Sequence, residues 1–481
     1  MDATMVDGSS NGSSGPSRRC TSSSSRGSPS ANLLPCLDLA ERLAARGHRV
    51  SFVSTPRNLA RLPPVRPELA ELVDLVALPL PRVDGLPDGA EATSDVPFDK
   101  FELHRKAFDG LAAPFSAFLD TACAGGKRPD WVLADLMHHW VSLASQERGV
   151  PCAMILPCSA AVVASSAPPT ESSADQREAI VRSMGTAAPS FEAKRATEEF
   201  ATEGASGVSI MTRYSLTLQR SKLVAMRSCP ELEPGAFTIL TRFYGKPVVP
   251  FGLLPPRPDG ARGVSKNGKH DAIMQWLDAQ PAKSVVYVAL GSEAPMSADL
   301  LRELAHGLDL AGTRFLWAMR KPAGVDADSV LPAGFLGRTG ERGLVTTRWA
   351  PQVSILAHAA VCAFLTHCGW GSVVEGLQFG HPLIMLPILG DQGPNARILE
   401  GRKLGVAVPR NDEDGSFDRG GVAGAVRAVV VEEEGKTFFA NARKLQEIVA
   451  DREREERCID EFVQHLTSWN ELKNNSDGQY P

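Results

Sequence analysis

Hydrophobic positions fall into two blocks, each alternating short apolar runs with stretches of helical period. In the first block, Leu33-Leu34-Pro35-Cys36-Leu37-Asp38-Leu39-Ala40-Glu41-Arg42-Leu43 spaces its apolar residues three and four apart, which predicts a helix. Gly47 suits the C′ position of that helix. Arg49-Val50-Ser51-Phe52-Val53-Ser54 reads as the strand that follows. Trp131–Ala134 and Cys152–Leu156 are near-continuous apolar runs, the pattern of strands covered on both faces in a parallel sheet. The second block restarts the rhythm with a strand over Ser284–Leu290 and a helix over Asp299–Ala311. Further strands are expected over Phe315–Met319, Ala363–Thr366 and Leu383–Leu386, and one long helix over Arg443–Leu466.

Strands alternating with helices imply parallel sheets joined by right-handed crossovers. The predicted fold class is therefore α/β, with two Rossmann-like domains. Residues 1–31 are a low-complexity Ser/Gly-rich stretch, expected to be disordered. The first domain is placed at 32–249, a Pro/Gly-rich linker at 250–268, the second domain at 269–455, a closing helix at 456–472 and a tail at 473–481.

Composition narrows the class. With 481 residues, 43% of them hydrophobic, the chain can fill two cores. A net charge of −5 gives no electrostatic reason for a nucleic-acid partner. No apolar run reaches the roughly 18–20 residues of a membrane span, and the first 31 residues lack the apolar core of a secretory signal. Nine cysteines are scattered without a C-x-x-C pair, and Cys152 and Cys158 are too far apart for the usual zinc spacing. Reduced thiols, a cytoplasmic location and no metal are expected.

The densest chemistry lies in residues 349–392. Trp349-Ala350-Pro351-Gln352 leads to Thr366-His367-Cys368-Gly369-Trp370-Gly371-Ser372, then Glu375, and the stretch closes with Gly390-Asp391-Gln392. A strand running into His367 with a helix starting near Ser372 would let Ser372 cap that helix and its amides face an anion. Singly, each residue has a structural explanation: a core Trp, a satisfied His, a solvated Glu, a plain Asp-Gln loop. Their joint spacing resembles the signature box of the plant UDP-sugar glycosyltransferases.

That resemblance implies roles. Trp349 matches the tryptophan stacked on uracil, and Ala350 and Gln352 lie beside the base. His367 and Ser372 match the diphosphate ligands, and Glu375 matches the ribose ligand. Trp370, Asp391 and Gln392 match the surroundings of the donor sugar, with a final Gln typical of UDP-glucose users. Gly291-Ser292 matches a phosphate-side loop. Two positions depart from the pattern: Gly371 stands where Asn is usual, removing one polar contact, and Cys362 stands where Gly is usual. His358 is read as a packing residue, and the His138-His139 pair as a candidate lining of the acceptor side.

The resemblance covers about 33–472. It implies a GT-B architecture whose two Rossmann-like domains face a cleft, the first binding the acceptor and the second the UDP-sugar. Residues 165–210, polar and weakly periodic, would line the acceptor side, and the last helix would return to the first domain. The co-substrates would be UDP-glucose and a small-molecule acceptor, with no cofactor. Arg46–Asn58 and Gly380–Pro387 resemble the branch that adds sugar to sugar, extending flavonoid, terpenoid or steroid glycosides.

The family's general base is a His ending the loop after the first strand, held by an Asp about a hundred residues later. An imidazole suits that task because its pKa lies near the working pH. Asp135 matches the Asp, with helix capping as its structural alternative. The base position holds Asn32, which has no basic lone pair near neutral pH, and no apolar strand precedes it. A permitted codon choice for Cys20–Ala31, read in a neighbouring frame, spells His-Val-Val-Val-Val-Pro-Trp-Leu-Ala-Phe-Gly, and dropping one base at Asn32 then gives His. A frame change opening before Cys20 and closing at Asn32 would explain both losses; a divergent N-terminus is the alternative. Two function classes follow: an inverting glycosyltransferase, or an inactive nucleotide-sugar-binding protein. A UDP-sugar epimerase shares the two-domain architecture, but the plant-type box argues against it.

Overall fold

The computed structural model describes residues 4–6, 19–20, 29–165, 188–256, 272–291, 296–320 and 330–477. The chain divides into two compact units. The first comprises Met1–Ser173, Thr197–Leu254 and Arg452–Pro481, and the second comprises Ala174–Ala196 and Pro255–Asp451.

The first unit is built on an eight-stranded sheet. In chain order its strands are β1 (Thr4–Val6), β2 (Arg19–Cys20), β3 (Arg49–Ser54), β4 (Val73–Ala77), β5 (Val132–Asp135), β6 (Cys152–Leu156), β7 (Leu223–Met226) and β8 (Val248–Pro250). Their spatial order is β4-β3-β2-β1-β5-β6-β7-β8. The strands from β3 onward pair in parallel, as the apolar runs predict. The centre is different. There β1 runs antiparallel to both β3 and β5, with Met5 opposite Phe52 and Leu133. The expectation of disorder over residues 1–31 is thus corrected at β1, at β2 and at residues 29–31, which open the helix Pro29–Ala45. The physical reason is the gap between β3 and β5: two edges with unpaired amides and carbonyls draw in any strand that can bond to them.

Apolar packing holds this unit together. Leu33, Leu37 and Leu43 of the first helix are buried with Phe52, Trp131, Leu133 and Ile155, and with Ile459, Phe462 and Leu466 of the closing helix Arg452–Asp477. Each such side chain contributes about 1.5–3 kcal/mol. Trp131 Nε1 also donates to the Leu466 carbonyl at 2.9 Å. Ion pairs of Arg42 with Glu456 (2.7 Å) and Arg46 with Asp460 (2.6 Å) add register more than energy, because their carboxylates are solvated. The single helix expected over Arg443–Leu466 is two, Gly435–Val449 and Arg452–Asp477. No Gly or Pro marks the break at Ala450-Asp451, which falls where the chain passes from the second unit to the first.

The second unit carries a six-stranded, all-parallel sheet: β9 (Val285–Ala289), β10 (Arg314–Ala318), β11 (Gly343–Thr346), β12 (Val361–Thr366), β13 (Leu383–Met385) and β14 (Gly405–Ala407). The order β11-β10-β9-β12-β13-β14 reverses direction between β9 and β12. Doubly wound sheets bind ligands just beyond the C-terminal strand ends at such a reversal. Gly291 follows β9 and His367 follows β12, so both sit at that point. Cys362 makes a bulge: Val361 pairs with Val285 and Ala363 with Val286, and the Cys362 thiol donates to the Val285 carbonyl at 3.3 Å.

Candidate functional site

The site in the second unit is organised by the helix Trp370–Gln378, whose N-cap is Gly369 with no side-chain cap. The first intrahelical bond runs from the Val373 amide to the Gly369 carbonyl, so the amides of Gly371 and Ser372 precede it. Ser372 is the third helical residue, which corrects its expected capping role. The cap position fell to Gly369 because Cys368 takes a left-handed φ of 64° and turns the chain into the helix two residues earlier. The Thr366 hydroxyl, receiving the Cys368 amide at 3.3 Å, and Asn395 Nδ2, donating to the Cys368 carbonyl at 3.0 Å, hold that turn.

His367 lies between two glycines. A Cβ on Gly291 or on Gly369 would come within 2.8 Å of its Nε2, so both positions must lack a side chain for the ring to sit there. Gly291 also has φ +77°, a conformation that favours glycine. Burial lowers the His367 pKa to about 4, which keeps the imidazole neutral at pH 7. Its Nδ1 is buried without a hydrogen-bond partner.

Gln352 and Glu375 are joined. Gln352 Nε2 donates to Glu375 Oε2 at 2.7 Å, and Tyr287 donates to Gln352 Oε1 at 3.3 Å. Tyr287, fully inside β9, is pushed above its ordinary pKa by burial and by the Glu375 charge, and stays a donor. The Gln352 amide caps a turn onto the Ala350 carbonyl at 2.9 Å. Trp349 is 71% exposed, so the core-residue explanation does not apply to it. His358 is structural: its Nε2 pairs with Asp278 at 3.1 Å and its Nδ1 accepts the Ala360 amide at 3.1 Å.

Asp391 and Gln392 stand at the start of the helix Gln392–Gly401. Gln392 Oε1 accepts the amides of Ile388 (2.8 Å) and Leu389 (2.9 Å), which leaves its NH₂ to point elsewhere. Asp391 Oδ2 accepts from Asn395 Nδ2 at 3.1 Å. Trp370 is buried. Sequence reasoning missed a set of partners here. Glu192 forms a two-point ion pair with Arg397, both bonds 2.8 Å, and Arg195 Nη1 donates to the Ile388 carbonyl at 2.7 Å. The first domain, expected to run unbroken over 32–249, is interrupted: the described residues 188–196 group with the second unit, where these charged side chains find their partners. No local sequence pattern signals it, because the partners are a distant arginine and a backbone carbonyl.

In the first unit Asp135 ends β5 and is fully buried. Its Oδ1 accepts the Met137 amide at 2.8 Å, closing a turn between β5 and the helix His139–Glu147; that helix has His138 at its N-cap with no side-chain cap, so Asp135 does not cap it. Asn32 falls in the helix Pro29–Ala45. Ser292 lies outside the described residues. His138 is buried within an aromatic group with Phe108 and Trp140, and burial lowers its pKa well below the usual value. Arg213 anchors the same region through Asp109 (2.6 Å) and the Met137 carbonyl (3.0 Å). Among the described residues no group of three or more His, Cys, Asp or Glu is arranged to hold a metal, and no helix is long and apolar enough to cross a membrane.

Residues 258–460 match the family model described as UDP-glucoronosyl and UDP-glucosyl transferase. The chain is 40% identical to UDP-glycosyltransferase 91B1 of Arabidopsis thaliana, covering 90% of this chain and 94% of that one. It is 41% identical to UDP-glycosyltransferase 91D2 of Stevia rebaudiana (90% and 92% covered) and 36% identical to soyasaponin III rhamnosyltransferase of Glycine max (91% and 93% covered). Its fold is similar to that of Os79 from O. sativa, solved with UDP and deoxynivalenol-3-glucoside, at TM-score 0.71, 24% identity, and 90% and 97% coverage.

Proposed function

The chain belongs to the plant UDP-glycosyltransferase family, with the GT-B fold, and from that premise we propose that it transfers glucose from UDP-glucose to a sugar hydroxyl of a secondary-metabolite glycoside. The observation that carries the donor half is the neutral His367 imidazole, seated between Gly291 and Gly369 beside the open amides of a helix N-terminus. Neutral N–H donors and a helix dipole suit a diphosphate. In this reading the exposed Trp349 offers uracil a flat face, with Ala350 and Gln352 beside it. Glu375, held by Gln352, accepts from ribose hydroxyls. His367 and the amides of Gly371 and Ser372, together with the Ser372 hydroxyl and Ser292, bind the diphosphate. Trp370, Asp391 and Gln392 face the sugar. No metal is needed, since the negative charge of the leaving UDP is met by these donors. A cytoplasmic location accords with the free cysteines recorded among the described residues.

The acceptor half of the proposal rests on likeness. One relative is named for a saponin substrate, soyasaponin III, and as a rhamnosyltransferase. The chemistry is inversion: the acceptor oxygen attacks the anomeric carbon, its proton passes to a base, and UDP leaves. Asp135 stands where the family's Asp holds the base histidine; with Asn32 at the base position the proton passes to solvent water, at a cost of about 10²–10⁴ in rate.

A second reading follows from one observation. Asn32 lies within a helix, and the sheet centre is held by the antiparallel β1 in place of a parallel strand leading to a base. On this reading the chain as written binds UDP-sugars without transferring them. UDP release from UDP-glucose and, separately, UDP-rhamnose is to be followed with a panel of flavonoid, terpenoid and steroid glycosides. Transfer to a glycoside supports the first reading. UDP binding with no transfer supports the second.

A further inference from the structure

The loop 388–392 and the helix that follows it are gripped from outside by one short segment, 190–195. Ser190 Oγ donates to Asp412 at 2.9 Å, and Phe191 lies under the Arg410 guanidinium, 5.2 Å from ring centroid to carbon. Arg410 in turn donates to the Pro387 and Gly415 carbonyls. Glu192 pairs with Arg397 and lies against Gly393, where any added Cβ would collide with its carboxylate. Arg195 holds the Ile388 carbonyl, while the amides of Ile388 and Leu389 turn inward to Gln392 Oε1. One peptide unit is therefore fixed at both ends. In the Ile388–Leu389 peptide the carbonyl is held by Arg195 and the N–H by Gln392, which also takes the N–H of the preceding peptide at Ile388.

We infer that Glu192 and Arg195 are positioning residues that set the orientation of Gln392, and so act on how the sugar of a nucleotide sugar is held. This rests on reading 349–392 as a UDP-sugar site. An amide side chain presents either its oxygen or its NH₂ to a given direction. Two inward amides require the oxygen on their side, so the Gln392 NH₂ is committed to the other side, where it can donate to sugar hydroxyls. If Arg195 no longer fixes the Ile388 carbonyl, that peptide can rotate, the two amides lose their alignment, and the Gln392 amide is free to flip. The Glu192–Arg397 pair is mostly shielded from solvent, with side-chain exposures of 18% and 12%, so it resists screening and holds the register of Gln392 at the helix start. The nucleotide contacts at Trp349, Gln352 and Glu375 lie outside this chain of bonds.

The test separates sugar from nucleotide. UDP and UDP-glucose are titrated into the full chain, without acceptor, and into Arg195→Ala and Glu192→Gln. Arg195→Ala is expected to weaken UDP-glucose about fivefold, the worth of one lost hydrogen bond, with UDP unchanged to within about twofold. Arg195→Lys, which keeps a donor, recovers part of the loss. Glu192→Gln, the same size without the charge, weakens UDP-glucose alone in the same way and serves if Arg195→Ala does not fold. Equal affinities for UDP-glucose in parent and variants overturn the inference, as does a parallel loss of UDP and UDP-glucose. A parent chain that binds neither ligand overturns the donor-site reading itself, and the inference with it.

Discussion

Gln352 and Glu375, 23 residues apart, meet through a 2.7 Å hydrogen bond from the Gln352 amide to Glu375 Oε2. Gln352 opens a helix just after β11, and Glu375 lies one turn into the helix after β12. The contact is possible only because parallel strands bring their C-terminal ends to one edge of the sheet. It also fixes one Glu375 oxygen and leaves the other for a ligand. Gln352→Ala should therefore weaken UDP-glucose by about 0.5–1.5 kcal/mol, and Glu375→Gln by about 1.5–3 kcal/mol. The double variant should lose less than the sum, because each change disturbs the same carboxylate. Strict additivity in a titration series would show that the pair does not act as a unit.

The two glycines around His367 give a second outcome. Gly369→Ala puts a methyl within 2.8 Å of Nε2 and must displace the ring. Its UDP-glucose affinity should fall about tenfold or more, the range of a displaced hydrogen-bonding group. Gly371→Asn moves the other way. It supplies a polar side chain at the second helical residue and should tighten UDP-glucose by about 0.5–1.5 kcal/mol. Equal affinities in parent and both variants would remove the helix N-terminus from the site.

The pH dependence is set by the burial of His367. Its folded pKa, about 4, lies below the ordinary 6.5, so on acidification the unfolded chain takes up the proton first. The stability this group confers is fully present above pH 6.5 and is lost as pH falls through about 4. UDP-glucose, whose diphosphate does not titrate near neutrality, should bind His367→Gln and parent with affinities whose ratio is flat between pH 5.5 and 8. A parent affinity that climbs relative to His367→Gln as pH falls through 6.5 would mean that a charged imidazole binds the diphosphate.

Much of this was legible in the sequence for one physical reason. A buried parallel strand needs an unbroken apolar run, and β5, β6, β9, β10, β12 and β13 carry one, while β3 shows its apolar residues around Ser51. Val73–Ala77, with Asp74 inside it, and the short Val248–Pro250, Gly343–Thr346 and Gly405–Ala407 do not, and they are strands by virtue of their neighbours. The box residues were readable because the chain visits the site through three consecutive βα turns. Glu192, Arg195 and Arg410 were not. Their partners are a backbone carbonyl, an arginine about two hundred residues away and a phenylalanine ring, none of which leaves a local pattern. Nor does periodicity reveal the antiparallel β1, which follows from the vacancy beside it.

That vacancy has a thermal consequence. β1 pairs over three residues only, against six in β3. A full apolar strand would bury several side chains worth about 1.5–3 kcal/mol each, a large share of the roughly 5–15 kcal/mol that holds a domain. Calorimetry should show two transitions, the lower one belonging to the first unit. Replacing residues 20–32 with His-Val-Val-Val-Val-Pro-Trp-Leu-Ala-Phe-Gly-His-like sequence should raise the lower transition and increase sugar transfer by about 10²–10⁴. A single cooperative transition in the unaltered chain would contradict this.

The central claim is that residues 349–392 build a UDP-sugar site in the second unit. Isothermal titration of UDP-glucose into the full, unaltered chain tests it most directly, because binding does not require a general base. The account predicts saturable binding at one site per chain, displaced by UDP. Absence of saturable binding, or binding that UDP does not displace, would contradict it.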